Sequence, residues 1–405
     1  GFKRYEEGMA PAPGDRVYST VADKMVFLAA IGQIPLSEGV NIAAAHVDSP
    51  RLDLKQFPLY EDENLALLKT HYYGGIKKYQ WVTLPLALHG IIVRKDGTSA
   101  EVSIGDDEGD PVFMITDLLP HLGKDQEKKT VGEAFTGENL NILAGSRPEG
   151  EDKESERVKF SVLRALNGKY GITEEDFVSA EIEAVPAGRA RDLGFDRTMI
   201  AAYGHDDRSC AFAALRAILD SRAPERTAVC VLTDKEEIGS EGMTGMQSAA
   251  FERFMSRLCG GLDAAGAAFS HSFCISADVC NAYDPNFPDV SEKNNSAHIN
   301  RGLSVMKYTG ARGKSGASDA SAETVGALRR LFDKNAVVWQ TTELGKVDQG
   351  GGGTVAMFMA NRGIETIDAG VPVLSMHAPY EIVSKLDCYM AYKGIRAMYE
   401  GNWGA

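Results

Sequence analysis

Short apolar runs alternate with segments of helical pattern from about residue 190 onwards, and this alternation constrains the fold more than any other feature. The predicted strands are 228–232, 273–276, 336–340 and 371–374, and the predicted helices are 209–221, 247–258, 321–334, 353–362 and 382–399. A strand–helix–strand rhythm of this kind predicts a sheet that is covered by helices. The expected fold class is therefore α/β, with a mixed sheet sandwiched by helices.

The middle of the chain departs from this rhythm. A short apolar strand, 41–46, is similar to the later strands, whereas 86–104 alternates between apolar and polar residues on either side of a Lys95-Asp96-Gly97 turn, as a β-hairpin does. A length of 405 residues also suggests two domains. The predicted domains are a discontinuous main domain, 1–82 with 186–405, and a β-rich insertion, 83–185.

Composition disfavours several classes of function. The formal net charge of −14 argues against a nucleic-acid surface, which needs clustered Lys and Arg. No run is long and apolar enough to cross a bilayer, and the first residues lack the apolar core of a signal peptide. The six cysteines include no C-x-x-C pair, which is typical of a reduced protein. We therefore expect a cytoplasmic protein without membrane or nucleic-acid partners.

Polar residues that can bind metal ions follow several of the predicted strands. The candidates are His46, Asp206, Glu237, Asp278 and His377. Open α/β sheets bind ligands at the carboxyl ends of their strands, and a mixed set of imidazole and carboxylate ligands suits Zn²⁺, Co²⁺ or Mn²⁺. No single spacing is diagnostic, but five such residues at one edge of one sheet favour a metal site.

Each of these motifs alone also has an ordinary structural interpretation. Asp48 lies two residues after His46, where it can accept a hydrogen bond from the imidazole nitrogen that does not bind metal, but a structural histidine beside a turn fits equally well. Asp206 precedes a helix, where an aspartate is more often an N-cap. Asp278 can cap a loop, and a lone histidine such as His377 is more often structural than a ligand.

The adjacent acids Glu236 and Glu237 follow the predicted strand 228–232. Because neighbouring side chains project in different directions, one acid can bind a metal ion while the other acts as a general base. The general base would accept a proton from a metal-bound water molecule, because a metal ion lowers the pKa of that water to about 7. The alternative interpretation is the charged start of a helix, since acids are favoured in a first turn.

The motifs of this chain occur together in a known order. They are His46-Val47-Asp48-Ser49-Pro50, His205-Asp206-Asp207-Arg208, Asp234-Lys235-Glu236-Glu237-Ile238-Gly239-Ser240, Ser276-Ala277-Asp278 and Ser375-Met376-His377. This combination resembles the aspartyl aminopeptidases, and the chain is similar to the bacterial branch of that metalloaminopeptidase family. The resemblance runs from about residue 41 to the carboxyl terminus.

The resemblance implies a zinc-exopeptidase-like fold and a centre of two divalent metal ions per subunit. Zinc is the expected metal, with cobalt and manganese as alternatives. By the resemblance, His46 and Asp278 bind one ion, Glu237 and His377 bind the other, and Asp206 bridges the two. It also makes Glu236 the general base and Asp48 the residue that orients His46.

The resemblance extends to the insertion, which in relatives mediates dimerisation within a tetrahedral dodecamer. A Pro-His-Leu element of the insertion reaches the site of a neighbouring subunit in those relatives, and Pro120-His121-Leu122 is similar to it. Lys307 resembles a lysine that faces the acidic side chain of the substrate. From the residues alone, His121 is an ordinary surface histidine and Lys307 is a solvated lysine on a strand.

Three functions remain open at this point. The first is an aminopeptidase that removes the amino-terminal residue of peptides; the resemblance implies a preference for Asp or Glu, which segment 310–316 leaves open because it differs from the eukaryotic pattern. The second is a related dinuclear carboxypeptidase or N-deacylase, which needs an arginine for the substrate carboxylate. The third is a non-catalytic shell-forming protein, against which the combination of Glu236 with five candidate ligands argues.

Overall fold

The computed structural model describes residues 1–6, 8–151, 154–222 and 224–401. The strands are β1 (Lys3–Arg4), β2 (Arg16–Val21), β3 (Met25–Ala30), β4 (Asn41–His46), β5 (Arg51–Asp62), β6 (Leu65–Tyr73), β7 (Leu86–Val93), β8 (Ser99–Ile104), β9 (Ile142–Gly145), β10 (Ala180–Pro186), β11 (Arg191–Leu193), β12 (Met199–Ala202), β13 (Ala228–Thr233), β14 (Phe273–Ser276), β15 (Cys280–Asn281), β16 (Leu303–Met306), β17 (Trp339–Thr341), β18 (Glu365–Gly370), β19 (Pro372–Leu374) and β20 (Glu381–Ser384). The helices are α1 (Val131–Ala134), α2 (Arg157–Tyr170), α3 (His205–Asp220), α4 (Ala250–Cys259), α5 (Leu262–Phe269), α6 (Ala322–Lys334), α7 (Ala356–Ala360) and α8 (Lys385–Glu400).

The chain divides into two compact units. The first unit comprises Gly1–Ser49, Arg191–Met376 and Glu381–Ala405, and the second unit comprises Pro50–Ala190 and His377–Tyr380. Residues 83–185, which are predicted to be an insertion, lie within the range of the second unit. The second unit also contains β5 and β6, because β6 pairs with β5 and β5 pairs with β10.

A nine-stranded mixed sheet forms the centre of the first unit, in the order β1-β2-β3-β13-β4-β14-β18-β16-β17. The neighbours β13, β4, β14 and β18 are parallel, so their carboxyl ends lie along one edge. Every residue of β4 and β13 is buried because helices cover both faces. Ala43 and Ala45 pack with residues of α3 and α8, whereas Ile42 and Ala44 pack with residues of α4. The predicted mixed α/β architecture is confirmed.

The first unit also contains a five-stranded sheet, in the order β11-β12-β20-β19-β15, which corrects two predictions. The strand expected over 371–374 is β19 of this sheet and not part of the nine-stranded sheet. The helix expected over 382–399 begins only at Lys385, because the preceding residues pair with β12 as β20. Ser384 then caps α8 by accepting a hydrogen bond from the N–H of Leu386.

β18 of the nine-stranded sheet was not predicted, and neither were β1, β2 and β3. β18 lies between β14 and β16, and its apolar pattern is interrupted by Asp368, which is buried and accepts a hydrogen bond of 2.7 Å from the Thr354 hydroxyl. Two other elements are shorter or shifted. The helix expected over 353–362 is confined to α7, and the strand expected over 336–340 is β17.

An antiparallel six-stranded sheet forms the second unit, in the order β8-β7-β10-β5-β6-β9. The hairpin predicted over 86–104 is present as β7 and β8, and Gly97 has the positive φ of 85° that its turn requires. The burial of β8 alternates along the strand, as expected for a sheet with one covered face. Helix α2 packs against this sheet.

In the parts of the chain that the structure describes, no helix combines the length and apolar character needed to cross a membrane. All six cysteines are free thiols.

Candidate metal centre

Three parallel strands bring acidic and imidazole side chains to the same edge of the nine-stranded sheet. β4 ends at His46, and β14 ends at Ser276. The register of these two strands places Asp278, two residues after Ser276, level with His46. Glu236 and Glu237 begin a short 3₁₀ turn directly after β13. Sheet register therefore gathers residues that are far apart in the sequence.

Asp206 reaches this group from the start of α3. α3 begins after Gly204, which has a φ of 77°, and its first turn is kinked at Asp206 and Asp207. Asp206 has non-helical backbone angles, φ −82° and ψ 107°. Its N–H donates to Oε2 of Glu381 at 3.1 Å, and its carbonyl oxygen accepts from the Ser49 hydroxyl at 2.8 Å. These two contacts hold the backbone that carries the Asp206 carboxylate.

His46 is buried, and its two ring nitrogens have different partners. Nδ1 lies 3.0 Å from the backbone carbonyl oxygen of Asp48 and 3.3 Å from Oδ1 of the same residue. A carbonyl oxygen can only accept a hydrogen bond, so Nδ1 carries the proton. Nε2 faces three carboxylates instead, at 3.1 Å from Asp206 Oδ1, 3.9 Å from Asp278 Oδ1 and 4.0 Å from Glu236 Oε2.

The Asp48 carboxylate holds the turn that carries the two glutamates. Its Oδ1 accepts a hydrogen bond from the N–H of Glu236 at 3.1 Å, and its Oδ2 accepts one from the N–H of Glu237 at 3.2 Å. Lys235, just before this turn, adopts a left-handed conformation with a φ of 65°. Asp48 thus contacts both the imidazole of His46 and the backbone of the turn after β13.

Burial and repulsion between neighbouring carboxylates raise the pKa values of two carboxyl groups beside His46. Burial raises the pKa of Asp207 well above its usual range, and burial together with the Asp207 carboxylate does the same for Asp278. Burial alone would lower the pKa of His46, but hydrogen bonds to Asp206 and Asp48 outweigh it and raise that pKa. The site therefore concentrates more negative charge than one imidazole can balance.

The donor atoms of the cluster fit a divalent cation. His46 forms one group with Asp206 and Asp278, and another with Glu236 and Glu237; the ligand atoms within each group lie within 4.8 Å of one another. One imidazole among several carboxylates is a donor set that suits zinc. A cation bound there would balance the negative charge of these carboxylates.

The remaining predicted residues do not follow the parallel strands β13, β4, β14 and β18. The expectation that all five candidate ligands lie at one edge of one sheet is wrong, because Asp206 follows β12 and His377 follows β19, both of the five-stranded sheet. His377 belongs to the second unit, as does the exposed His121, which lies in a 3₁₀ turn. Lys307 is exposed one residue after β16.

Sequence reasoning did not identify Glu381. Its side chain is buried and accepts the hydrogen bond from the backbone of Asp206. The available signal was an acid four residues after His377, directly before the predicted helix 382–399. Only the pairing of β20 with β12 reveals its position.

Comparison with known proteins identifies a family and several relatives. The family model described as aminopeptidase I zinc metalloprotease (M18) matches residues 1–399. A protein of Clostridium acetobutylicum named probable M18 family aminopeptidase 1 is 51% identical over 406 residues, covering 98% of this chain and 87% of that protein.

Solved structures show the same fold. The crystal structure of an M18 family aminopeptidase from Thermotoga maritima has a TM-score of 0.95 and 45% identity, covering 98% of this chain and 89% of that one. The structure of the mApe1 dodecamer of S. cerevisiae has a TM-score of 0.76 and 21% identity, covering 98% of this chain and 89% of that one. At that identity, the second likeness concerns the fold alone.

Proposed function

Because the chain belongs to the aminopeptidase I family of zinc metalloproteases (M18) and is a metalloaminopeptidase, we propose that it uses a centre of two zinc ions to remove amino-terminal residues from peptides. His46 and Asp278 would hold one ion, Glu237 and His377 would hold the other, and Asp206 would contribute to both. Of the three functions left open by the sequence, family membership identifies the aminopeptidase. The observation that carries the proposed centre is the convergence of Asp206, Asp278 and Glu236 on Nε2 of His46.

When bound, the ions would supply Lewis acidity, which would polarise the scissile carbonyl and lower the pKa of a water molecule to about 7. Glu236 accepts the proton of that water and transfers it to the leaving amine. Its side chain is 18% exposed, so it remains accessible to water and substrate, whereas the Asp48 and His46 side chains are 1% exposed. Asp48 keeps the Glu236 backbone in place through the hydrogen bond to its N–H.

For the substrate, we assign a preference for acidic amino-terminal residues to Lys307 and His121. Both side chains are exposed and are able to meet a ligand. An ammonium group neutralises a substrate carboxylate, which matters in a protein with a net charge of −14. The free α-amine of the substrate binds near the metal ions and a carboxylate, which restricts cleavage to the first peptide bond.

For the assembly, the proposal is a homo-oligomer in which the second unit mediates dimerisation and dimers form a tetrahedral dodecamer. The fold shared with the yeast dodecamer supports it. In this arrangement His121 of one subunit contributes to the site of its neighbour. Native mass spectrometry of the purified protein tests the assembly, and a monomer at micromolar concentration would contradict it.

A peptide panel tests the activity. Peptides that differ only in the first residue are compared with amino-terminally acetylated copies, before and after chelation of metal and with zinc added back. We expect cleavage of free peptides only, faster for Asp and Glu, and two zinc ions per subunit by elemental mass spectrometry. Cleavage of the acetylated copies at the same rate would exclude an aminopeptidase that needs the α-amine.

Two substitutions sharpen the role of the general base. Glu236→Gln keeps the size of the side chain and removes its basicity, so kcat should fall by about 10²- to 10⁴-fold while zinc content stays unchanged. Glu241→Gln, an exposed acid of the same loop, is the matched control and should retain activity. Near-normal turnover of Glu236→Gln removes Glu236 from the mechanism.

A further inference from the structure

A pair of glycines follows β6 in the second unit, and the second of them contacts a histidine. The backbone carbonyl oxygen of Gly75 lies 2.8 Å from Nδ1 of His377. Because a carbonyl oxygen only accepts hydrogen bonds, Nδ1 of His377 is the protonated nitrogen. The lone pair of the neutral imidazole is then on Nε2, the nitrogen left to bind a metal ion.

The same glycine leaves room for the imidazole ring. A Cβ atom at position 75 would lie 3.3 Å from Nδ1 and 3.6 Å from Cε1 of His377, and no other heavy atom would lie within 4 Å of it. Gly75 does not have a left-handed φ, in contrast to Gly74 with a φ of 73°. The backbone at position 75 therefore accepts an alanine, and only the ring of His377 opposes one.

Together these observations point to a role for a residue that has no side chain. We propose that Gly75 is a positioning residue for His377: its carbonyl group selects the tautomer and orientation of the ring, and its missing Cβ leaves space for the ring. The inference rests on the proposed function, in which His377 is a metal ligand. Partners of this kind, which hold the non-coordinating nitrogen of a ligand histidine, typically change metal affinity by about 10- to 100-fold when disturbed.

The test uses the full-length protein and zinc. Gly75→Ala and Gly75→Val push the ring by increasing amounts, and Gly109→Ala and Gly109→Val are the matched controls. Gly109 lies in the same unit, its φ is not left-handed, and nothing lies within 4 Å of a Cβ there. Zinc affinity is measured by competition with a chromophoric chelator, and the visible spectrum of the cobalt-loaded protein reports ligand geometry.

We expect the weaker zinc site to lose about 10-fold in affinity in Gly75→Ala and about 100-fold in Gly75→Val, with an altered cobalt spectrum. The Gly109 variants should match the wild type. His377→Ala provides the reference for loss of the ligand. If Gly75 acts through His377, Gly75→Ala should cause no further loss of zinc affinity in the His377→Ala background.

Two results overturn the proposal, and they can be told apart. If His377→Ala weakens zinc binding but the Gly75 variants bind zinc as the wild type does, Gly75 does not position the ligand, and the proposed function stands. If His377→Ala leaves zinc affinity unchanged, His377 is not a ligand, and the assignment of the second ion fails together with the role of Gly75. An equal loss from Gly75→Ala with and without His377 also contradicts the proposal.

Discussion

The two large sheets of this protein differ in how many of their faces are covered. In the nine-stranded sheet, β4 and β13 are buried at every residue because helices cover both faces. In the six-stranded sheet, β8 alternates between exposed and buried residues because one face is open. Strands that are packed on both sides have little freedom to move, so the polar groups at their carboxyl ends have rigid support. The acidic cluster lies at the end of the more constrained sheet.

The largest expected difference concerns truncation of the two cores. Ile42 lies in β4 and is fully buried, whereas Ile182 lies in β10 and lines an apolar cavity of about 60 Å³. Substituting a buried isoleucine with alanine costs about 2–5 kcal/mol. We expect Ile42→Ala to lower the free energy of unfolding by the upper end of that range and Ile182→Ala by the lower end, because the cavity already reduces the contacts of Ile182. Urea unfolding measures the free energy of unfolding of both variants. Equal losses would contradict the expected difference between the two cores.

A second contrast concerns the charge of buried acids. Burial raises the pKa of Asp368 in β18 from 3.8 to about 6. Between those values the folded chain binds more protons than the unfolded one, so stability falls as the pH rises through this window. Asp368→Asn removes the charge, keeps an acceptor for Thr354, and should stabilise the protein by up to about 3 kcal/mol above pH 6. Thermal unfolding of the wild type and of Asp368→Asn at pH 5 and pH 8 measures this stabilisation. A stabilisation that does not grow with pH would contradict the raised pKa of Asp368.

Asp176 of the second unit should respond in the opposite direction. Hydrogen bonds from the backbone of Thr173 and Lys95 lower the pKa of this carboxyl group. Its ionised form therefore adds stability above its ordinary pKa, and that contribution is lost as the pH falls. Asp176→Asn is expected to lower the melting temperature at pH 8, in contrast to Asp368→Asn.

A third contrast separates catalysis from stability. Asp48→Ala removes the acceptor of the Glu236 and Glu237 N–H groups, so the turn after β13 loosens and kcat should fall by about 10- to 100-fold. Hydrogen exchange of those two amides should accelerate. Asp53→Ala is the control in the second unit, where the carboxylate pairs with Arg51 on the six-stranded sheet. Turnover of the zinc-loaded proteins measures both, and an equal loss in the two variants would mean that the effect is unspecific.

The smallest expected effect is a gain in the free energy of unfolding from a substitution in the second unit. Ala144 lines the apolar cavity together with Ile182 and Val162. Ala144→Val adds two methyl groups to that space and should raise the free energy of unfolding by about 0.5–1 kcal/mol, without a change in kcat. Chemical unfolding tests it. A loss of stability would mean that the cavity cannot accept the added volume.

Much of the fold was predictable where apolar runs are short and bounded by turns. The strands at 41–46 and 273–276 and the hairpin over 86–104 were predicted close to their observed bounds. β18 was missed because the buried Asp368 interrupts its apolar pattern. The first residues of the predicted helix 382–399 proved to be β20, because four residues of mixed polarity do not distinguish a strand from a helix start.

The candidate site was predictable as a set of residue types but not as a set of contacts. His46, Asp206, Glu236 and Asp278 were selected because each stands after a predicted strand or before a predicted helix, and the structure brings them together. The role of Glu381 and the two backbone hydrogen bonds to Asp48 could not be inferred, since a donor or acceptor of the main chain leaves no trace in a side-chain pattern.

The sequence by itself determined the chemistry of the protein, because imidazole and carboxylate groups at the ends of apolar strands limit what a site can bind. Only the tertiary structure decided how those groups are held. The register of β4 with β14 sets the level of Asp278 beside His46, and Asp48 connects β4 to the turn after β13. These contacts join residues well over a hundred positions apart, and their geometry depends on packing of the whole sheet, which no local pattern encodes.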